Sequence, residues 1–311
     1  MRVLTRLAAL TVFAAVAGAA PHVGLPASSL SVGVGDEWRE WWRAERAPVR
    51  WSEPLPAVAG AVRWKPAGDG LAWGELPIAG SGEAWRLRVI LVRLDPRRHR
   101  LRLVQQQDWS IADAPPSAVL AFNAGQFAGG GLQVPWGWIV RGGLERRAPG
   151  RGPLSTALVV DQSGRVQWAE GDSAIAAMRD AGGAAEAFQS YPTLLQGDGD
   201  VPLALRDTGR GVSVDHRDSR LAVGELRDGQ LLIALTRFDA LPGGTLASAP
   251  FGPTAPEMAA IMGALGCRHA VMLDGGLSGQ LLLRTPSGAT RSWRGWRKVP
   301  VAMIVERTDM E

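Results

Sequence analysis

Apolar runs separated by short polar breaks dominate the chain from about residue 70. Leu71–Ile78, Trp85–Leu94 and Leu101–Gln106 predict three successive strands, with Asp95-Pro96 marking a turn. Ala157–Asp161 and Gly164–Trp168 predict a hairpin around Gln162-Ser163, and Arg220–Arg227 with Gln230–Arg237 predict another, turned by Asp228-Gly229. Helical patterns interrupt the strands twice. Residues 172–190 are Ala-rich and broken by Gly182-Gly183. Thr254-Ala255-Pro256-Glu257 has capping-box spacing, followed by Met258, Ile261, Met262 and Leu265 on one face and Gly266 as a C-terminal stop. That helix feeds an apolar strand ending at Leu273. Gln280–Arg284 and Val299–Val305 read as closing strands, with a turn at Pro286-Ser287-Gly288 between them. The pattern predicts an α+β fold: a large mixed, mostly antiparallel sheet with a few packed helices, forming a single catalytic-type domain over 66–311.

Residues 20–65 read differently. Pro, Ala, Ser and Gly dominate up to Gly35, as in a linker, and residues 36–46 then place Trp38, Trp41 and Trp42 at i, i+3 and i+4, which predicts an amphipathic helix with an indole face. The plain role for that face is packing on the main domain. The sharper one is contact with a membrane surface through Trp38, Trp41 and Trp42, against which the mixed charges count. Ahead of it, Arg2 and Arg6 precede the apolar stretch Leu7–Ala17 and the small-residue site Ala17-Gly18-Ala19. This predicts a signal peptide over 1–19, since its apolar core falls short of the ~20 residues that cross a bilayer. The expected location is periplasmic or secreted.

Composition narrows the classes further. The 311 residues are 46% hydrophobic and 21% charged, as in ordinary globular proteins. The formal charge is +4, and almost every basic residue is arginine, Lys65 and Lys298 being the only lysines. No basic run with interleaved aromatics occurs, so no nucleic-acid partner is expected. Cys267 is the sole cysteine, which rules out an intrachain disulfide and leaves stability to the core. The sequence is silent on oligomeric state.

Several standard catalytic patterns are missing: the phosphate-binding glycine loops, the G-x-S-x-G elbow, a serine followed three residues later by lysine, and zinc-type His/Cys spacings. Four segments remain in which an apolar run meets polar or glycine residues. They are Val119–Phe127, containing Asn123-Ala124-Gly125-Gln126; Gln189–Leu195, containing Tyr191-Pro192; His216–Gly224, containing Asp218 and Arg220; and His269–Gly279, containing Asp274-Gly275-Gly276-Leu277-Ser278. The last places one carboxylate at the mouth of a buried strand, in a loop whose glycines admit close approach of a ligand.

In order and spacing these four segments resemble the phosphodiester glycosidase family, relatives of the enzyme that uncovers mannose 6-phosphate by removing N-acetylglucosamine. The resemblance covers roughly residues 85 to 305. Gln126, Tyr191, Leu277 and Gly279 depart from the family's usual residues. The resemblance implies an exported hydrolase that cleaves the bond between a sugar's anomeric carbon and a phosphodiester, acting on envelope or exopolysaccharide glycans. That chemistry needs stabilisation of an oxocarbenium-like centre and a grip on phosphate. The implied catalytic groups are Asp274 as base, nucleophile or electrostatic stabiliser, Arg220 as phosphate clamp and His216 as proton donor. The substrate-binding candidates are Asn123, Gly125, Gly275, Gly276, Ser278 and Asp218, the last also a second carboxylate. Each has a plainer alternative: a turn aspartate, a surface arginine, a solvated histidine, a turn asparagine. No cofactor is required, and a divalent metal beside Asp274 is left open. Two other functions compete: a non-catalytic envelope glycan-binding protein of the same fold, motivated by Gln126 and Leu277, and a serine hydrolase using Ser278 and His216.

Overall fold

The computed structural model describes residues 28–81, 85–128, 132–207, 209–238, 249 and 251–308, so the expected leader at 1–19 lies outside the described residues. Strands β1 (Ser29–Val34) and β2 (Glu37–Arg43) form a hairpin. A single helical turn, α1 (Pro56–Ala59), precedes β3 (Lys65–Gly68), β4 (Leu71–Gly80) and β5 (Trp85–Leu94). Then come β6 (His99–Trp109), β7 (Ala118–Asn123) and the two-residue strands β8 (Phe127–Ala128) and β9 (Val134–Pro135). The middle of the chain holds β10 (Ile139–Arg141), β11 (Leu144–Arg147), β12 (Thr156–Asp161), β13 (Val166–Glu170), helix α2 (Asp172–Ala181), β14 (Ala184–Ser190) and β15 (Thr193–Leu195). The last part holds β16 (Leu221–Leu226), β17 (Leu231–Phe238), helix α3 (Ala255–Ala264), β18 (Cys267–Met272), β19 (Leu281–Arg284), β20 (Thr290–Trp293) and β21 (Val299–Arg307).

These strands build three main sheets, where the sequence pattern suggested one. The largest has nine strands in the order β15-β18-β16-β17-β5-β4-β1-β2, with β3 beside β4. Two five-stranded sheets have the orders β11-β10-β14-β12-β13 and β20-β19-β7-β21-β6. Strand pairings among the described residues are antiparallel, so the molecule is mostly β with few helices. The central strands of the nine-stranded sheet are buried on both faces. Along β5, Leu87, Val89 and Leu91 enter one cluster with Met258, Ile261 and Met262 of α3, while Ile90, Val92 and Leu94 enter another with Phe122, Leu158 and Met303 of the five-stranded sheets. That explains the unbroken apolar run Val89–Val92, since a strand covered on both sides has no solvent face to alternate with. No helix among the described residues is long and apolar enough to cross a membrane.

The N-terminal expectation is overturned. Residues 37–43 are a strand, not a helix, and β1–β2 belong to the nine-stranded sheet, with Leu30 and Val32 fully buried. The ordered body therefore includes much of the supposed 20–65 linker. A β-bulge leaves Trp41 without a partner on β1, and it is this extra residue that produces the i, i+3, i+4 spacing. The three indoles share no helical face. Trp42 is buried in the core, Trp41 packs edge-on against Trp51, and Trp38 lies under Arg86. The expected helical indole face is thus not formed. The segment after β2 instead covers α3: the Trp51 ring lies against Gly263, and the Leu55 N–H donates to the Ala264 carbonyl at 2.9 Å. Every residue of α3 except Pro256 is buried as a result.

The helical reading of 172–190 holds only for Asp172–Ala181. Residues 184–190 form β14, paired on both edges by β10 and β12. Alanine permits a strand wherever two neighbours supply the ladder, so tertiary pairing outweighs its local helix preference. The Thr254 capping box and the Asp228-Gly229 hairpin form as the sequence predicts.

Candidate functional site

The site lies where the nine-stranded sheet meets β7. Strand β18 ends between β15 and β16, and the chain then crosses over: Leu273 N–H donates to the Leu221 carbonyl at 2.8 Å, and Asp274 N–H to the Ala124 carbonyl beyond β7 at 3.1 Å. Asp274 is thereby held at the seam of two sheets. The next turn presses on the start of β16. Gly276 N–H donates to Ser219 O at 2.6 Å, and a Cβ on Gly275 would stand 2.6 Å from the same oxygen. Gly276 has φ +55, and a Cβ there would meet the Asp218 carboxylate at 2.7 Å. Only glycines let the turn lie this close.

A cavity of about 210 Å³ opens here, lined among others by Gln126, Tyr191, Pro192, His216, Asp218, Arg220, Asp274, Gly275 and Gly276. Asp274 and Arg220, far apart in the chain, thus face one void. The Asp274 Oδ2 is buried without a hydrogen-bond partner among the described residues. Burial raises its pKa to about 6, with Asp218 adding to the rise and the Ser278 hydroxyl and Arg297 opposing it. Burial also raises Asp218, against the pull of Arg220. Arg220 is 8% exposed and anchored, donating from Nε to Pro253 O at 2.9 Å and from Nη2 to His216 O at 2.5 Å. Its Nη1 has no partner among the described residues. Desolvation lowers its pKa, opposed by Asp218 and Glu257. His216 is a rim residue, its side chain 62% exposed and its Nε2 3.7 Å from Asp218 Oδ2.

Other predicted residues support the cavity from behind. Asn123 is fully buried: its Nδ2 donates to the Asp274 carbonyl, and its Oδ1 accepts from Gln280 N–H at 3.0 Å. Both ends of the amide are used on backbone, so it acts as a staple and offers nothing to a sugar hydroxyl. Gly125 lets the chain after β7 approach the Gln189 carbonyl, where a Cβ would stand 2.6 Å away. Ser278 is 3% exposed and is not among the residues lining the cavity, which counts against a nucleophile. No group of three His, Cys, Asp or Glu among the described residues is placed to hold a metal ion.

Sequence reasoning missed four participants: Gln126, Arg217, Glu257 and Arg237. Gln126, read only as a departure, donates from Nε2 to Tyr191 O at 2.5 Å and accepts at Oε1 from Ser190 Oγ at 2.7 Å and Tyr191 N–H at 3.2 Å. It ties the end of β7 to the cis Tyr191–Pro192 segment. Arg217 forms a bidentate pair with buried Glu257 at 2.7 and 2.8 Å, fixing the chain beside Asp218. Arg237, buried on β17, donates through Nη2 to Gly279 O at 2.8 Å. No local pattern marks such long-range pairs.

A larger cleft of about 1120 Å³ lies elsewhere, near Arg97, Asp161, Glu186 and Arg268. Its arginines are largely neutralised, Arg97 by Asp95, Arg165 by Asp161 and Arg268 by Glu225. The smaller cavity is lined by Asp274, whose carboxylate carries a buried unpartnered oxygen, and by Arg220, and is the better candidate.

Residues 116–306 match the family model described as phosphodiester glycosidase. No curated protein matches the chain. Among solved structures, the chain is similar to the zebrafish N-acetylglucosamine-1-phosphodiester alpha-N-acetylglucosaminidase catalytic domain, described as auto-inhibited by its pro-peptide. The identity is 14%, covering 85% of this chain and 96% of that one, with a TM-score of 0.59. It is also similar to a hypothetical protein from Synechocystis, at 18% identity over 90% of this chain and 68% of that one, with a TM-score of 0.52. At these identities the likeness is one of fold.

Proposed function

This chain belongs to the phosphodiester glycosidase family, and on that premise we propose that it hydrolyses the bond between a sugar's anomeric carbon and a phosphodiester oxygen. The observation that carries the reading is the buried, unpartnered Oδ2 of Asp274, a residue that lines the same cavity as Arg220. In the resting protein that oxygen lacks the hydrogen bond that buried polar atoms almost always find. A sugar acquiring positive charge at its anomeric carbon, or a water attacking that carbon, would complete it.

In the reaction the C1–O bond breaks and its electron pair goes to the phosphate oxygen, whose charge Arg220 Nη1 stabilises. Water adds to C1 and its proton passes to the Asp274 carboxylate, which a pKa near 6 suits to act as a base at neutral pH. Asp218, packed beside Gly276 of the Asp274 turn, orders the sugar or water, and His216 stands at the rim where the phosphate leaves. The substrates are sugar phosphodiesters of envelope or extracellular glycans, reached after export.

A chromogenic N-acetylglucosamine 1-phosphodiester, hydrolysed in ¹⁸O-labelled water, tests this. Label is expected in the sugar hydroxyl. Label in the phosphate would show P–O cleavage and overturn the assignment. An Asp274→Asn variant that folds yet keeps full turnover would remove Asp274 from the mechanism, whereas wild-type binding without turnover would favour the glycan-binding alternative.

A further inference from the structure

The cavity at Asp274, about 210 Å³, falls below the ~300–1,000 Å³ that encloses drug-sized ligands. It has room for one sugar ring and its phosphate. Anything attached beyond them must cross the rim.

Just past the cavity lining, where Gly276 runs on into Leu277, lies an unusual surface. Leu277, in the turn just after Asp274, is 42% exposed, and Trp296 is 62% exposed, the one exposed tryptophan, tyrosine or phenylalanine among the described residues. The main chain that carries the indole is held in place. Trp296 and Arg297 N–H both donate to the Leu277 carbonyl, at 2.7 and 2.9 Å. Gly295 lies so close to the turn that a Cβ would stand 2.7 Å from Ser278 O. Buried Arg237 bridges from below, its Nη2 reaching Gly279 O at 2.8 Å and Arg294 O at 3.2 Å. On the other flank the Arg297 guanidinium stacks over Phe127, next in sequence to Gln126 of the cavity wall, at 4.8 Å. An indole that packs into no core, carried on main chain bonded to the candidate catalytic turn, is a flat surface kept close to that turn. Such a surface fits the apolar C–H face of a pyranose, whose hydroxyl edge stays in water or meets an arginine.

We propose that Trp296, flanked by Leu277, is a stacking subsite for a second pyranose ring, joined to the sugar phosphate held in the cavity. The inference rests on the hydrolase reading of that cavity and makes the substrate a glycan of at least two rings.

Calorimetric titration of the full chain carrying Asp274→Asn tests it without turnover. The probes are the methyl phosphodiester of N-acetylglucosamine, the same diester of a two-ring N-acetylglucosamine unit, and an N-acetylglucosamine phosphodiester to the 6-hydroxyl of methyl mannoside. At least one two-ring probe is expected to bind roughly three- to tenfold tighter than the one-ring probe. Adding Trp296→Ala should erase that gain, and Trp296→Phe should keep most of it, with melting temperatures unchanged because the side chain is exposed. Which two-ring probe gains tells on which side of the phosphate the ring lies. If neither gains, or the gain survives Trp296→Ala, the inference is overturned while the hydrolase reading stands. If no probe binds, both fall together.

Discussion

Asp274 is held in a place that costs stability. Its carboxylate is pushed up to about 6 by burial, from an ordinary value of 3.8. A group raised in this way stabilises the fold only while protonated, and that contribution is lost as pH rises through 6. Asp274→Asn should therefore raise stability at pH 8 by of order 1–3 kcal/mol, seen as a melting temperature several degrees higher. The gain should shrink to about 0.5 kcal/mol near pH 4, where the folded-state aspartate is protonated and the unfolded one about half so, and vanish well below pH 3.8. The same substitution should lower kcat by about a thousandfold or more, because it removes both base and counter-charge. Loss of activity with a gain in stability marks a functional residue; loss of both would mark a structural one. With Asp274 as base, kcat/KM should climb as pH rises through about 6, and a flat profile from pH 5 to 8 would contradict that role. At Arg220 the expectation is set by its anchors. Lysine cannot hold Pro253 O and His216 O while also offering a donor to phosphate, so Arg220→Lys should lose activity nearly as fully as Arg220→Met.

Among the elements, α3 shows how a local motif acquires a long-range duty. The capping box was readable because Thr254 and Glu257 are three residues apart. Glu257 accepts from Thr254 N–H at 2.9 Å, as that spacing predicts. The same carboxylate also accepts two bonds from Arg217 and one from the Ser28 hydroxyl, partners at sequence distances of 40 and 229 residues. Capping alone therefore does not account for Glu257; it also braces the segment that carries Asp218. Thr254→Ala should cost about 1 kcal/mol, as for an ordinary cap. Glu257→Ala should cost more, about 2–4 kcal/mol, by removing the cap bond and leaving a half-buried arginine unpaired. Denaturant titration separates the two, and equal costs would show that the Arg217 pair contributes nothing. The Asp274 turn follows the same logic in reverse: its glycines announced a tight turn, but not that it presses on Ser219 and Asp218.

At the scale of the molecule, the main correction is the N-terminal hairpin. Leu30 and Val32 sit in the core with Leu76, Ile78 and Met258, so β1 is structural to the main body. Leu30→Ala should destabilise the protein by about 2–5 kcal/mol, whereas an exposed linker residue would cost almost nothing. Sheet assembly also explains the location of the cavity. Asp274 projects where β18 leaves one sheet and its backbone reaches the end of β7 in another, so the site exists only once both are in place.

The chain's own pattern determined what depends on neighbours a few residues away: the paired strands β4 and β5, the Asp228-Gly229 hairpin, the capped start of α3 and the glycine turn after Leu273. Alternation, caps and turns are set by local sterics and local hydrogen bonds, which a linear reading captures. Tertiary structure decided the rest. It divided the strands among three sheets and made a strand of Trp38–Trp42 by pairing it with β1. It turned Asn123 into a staple, brought Asp274 and Arg220 to one cavity and left the Asp274 Oδ2 without a hydrogen bond among the described residues. These outcomes depend on which distant segments compete for the same space and the same donors, and sequence spacing carries no record of that competition.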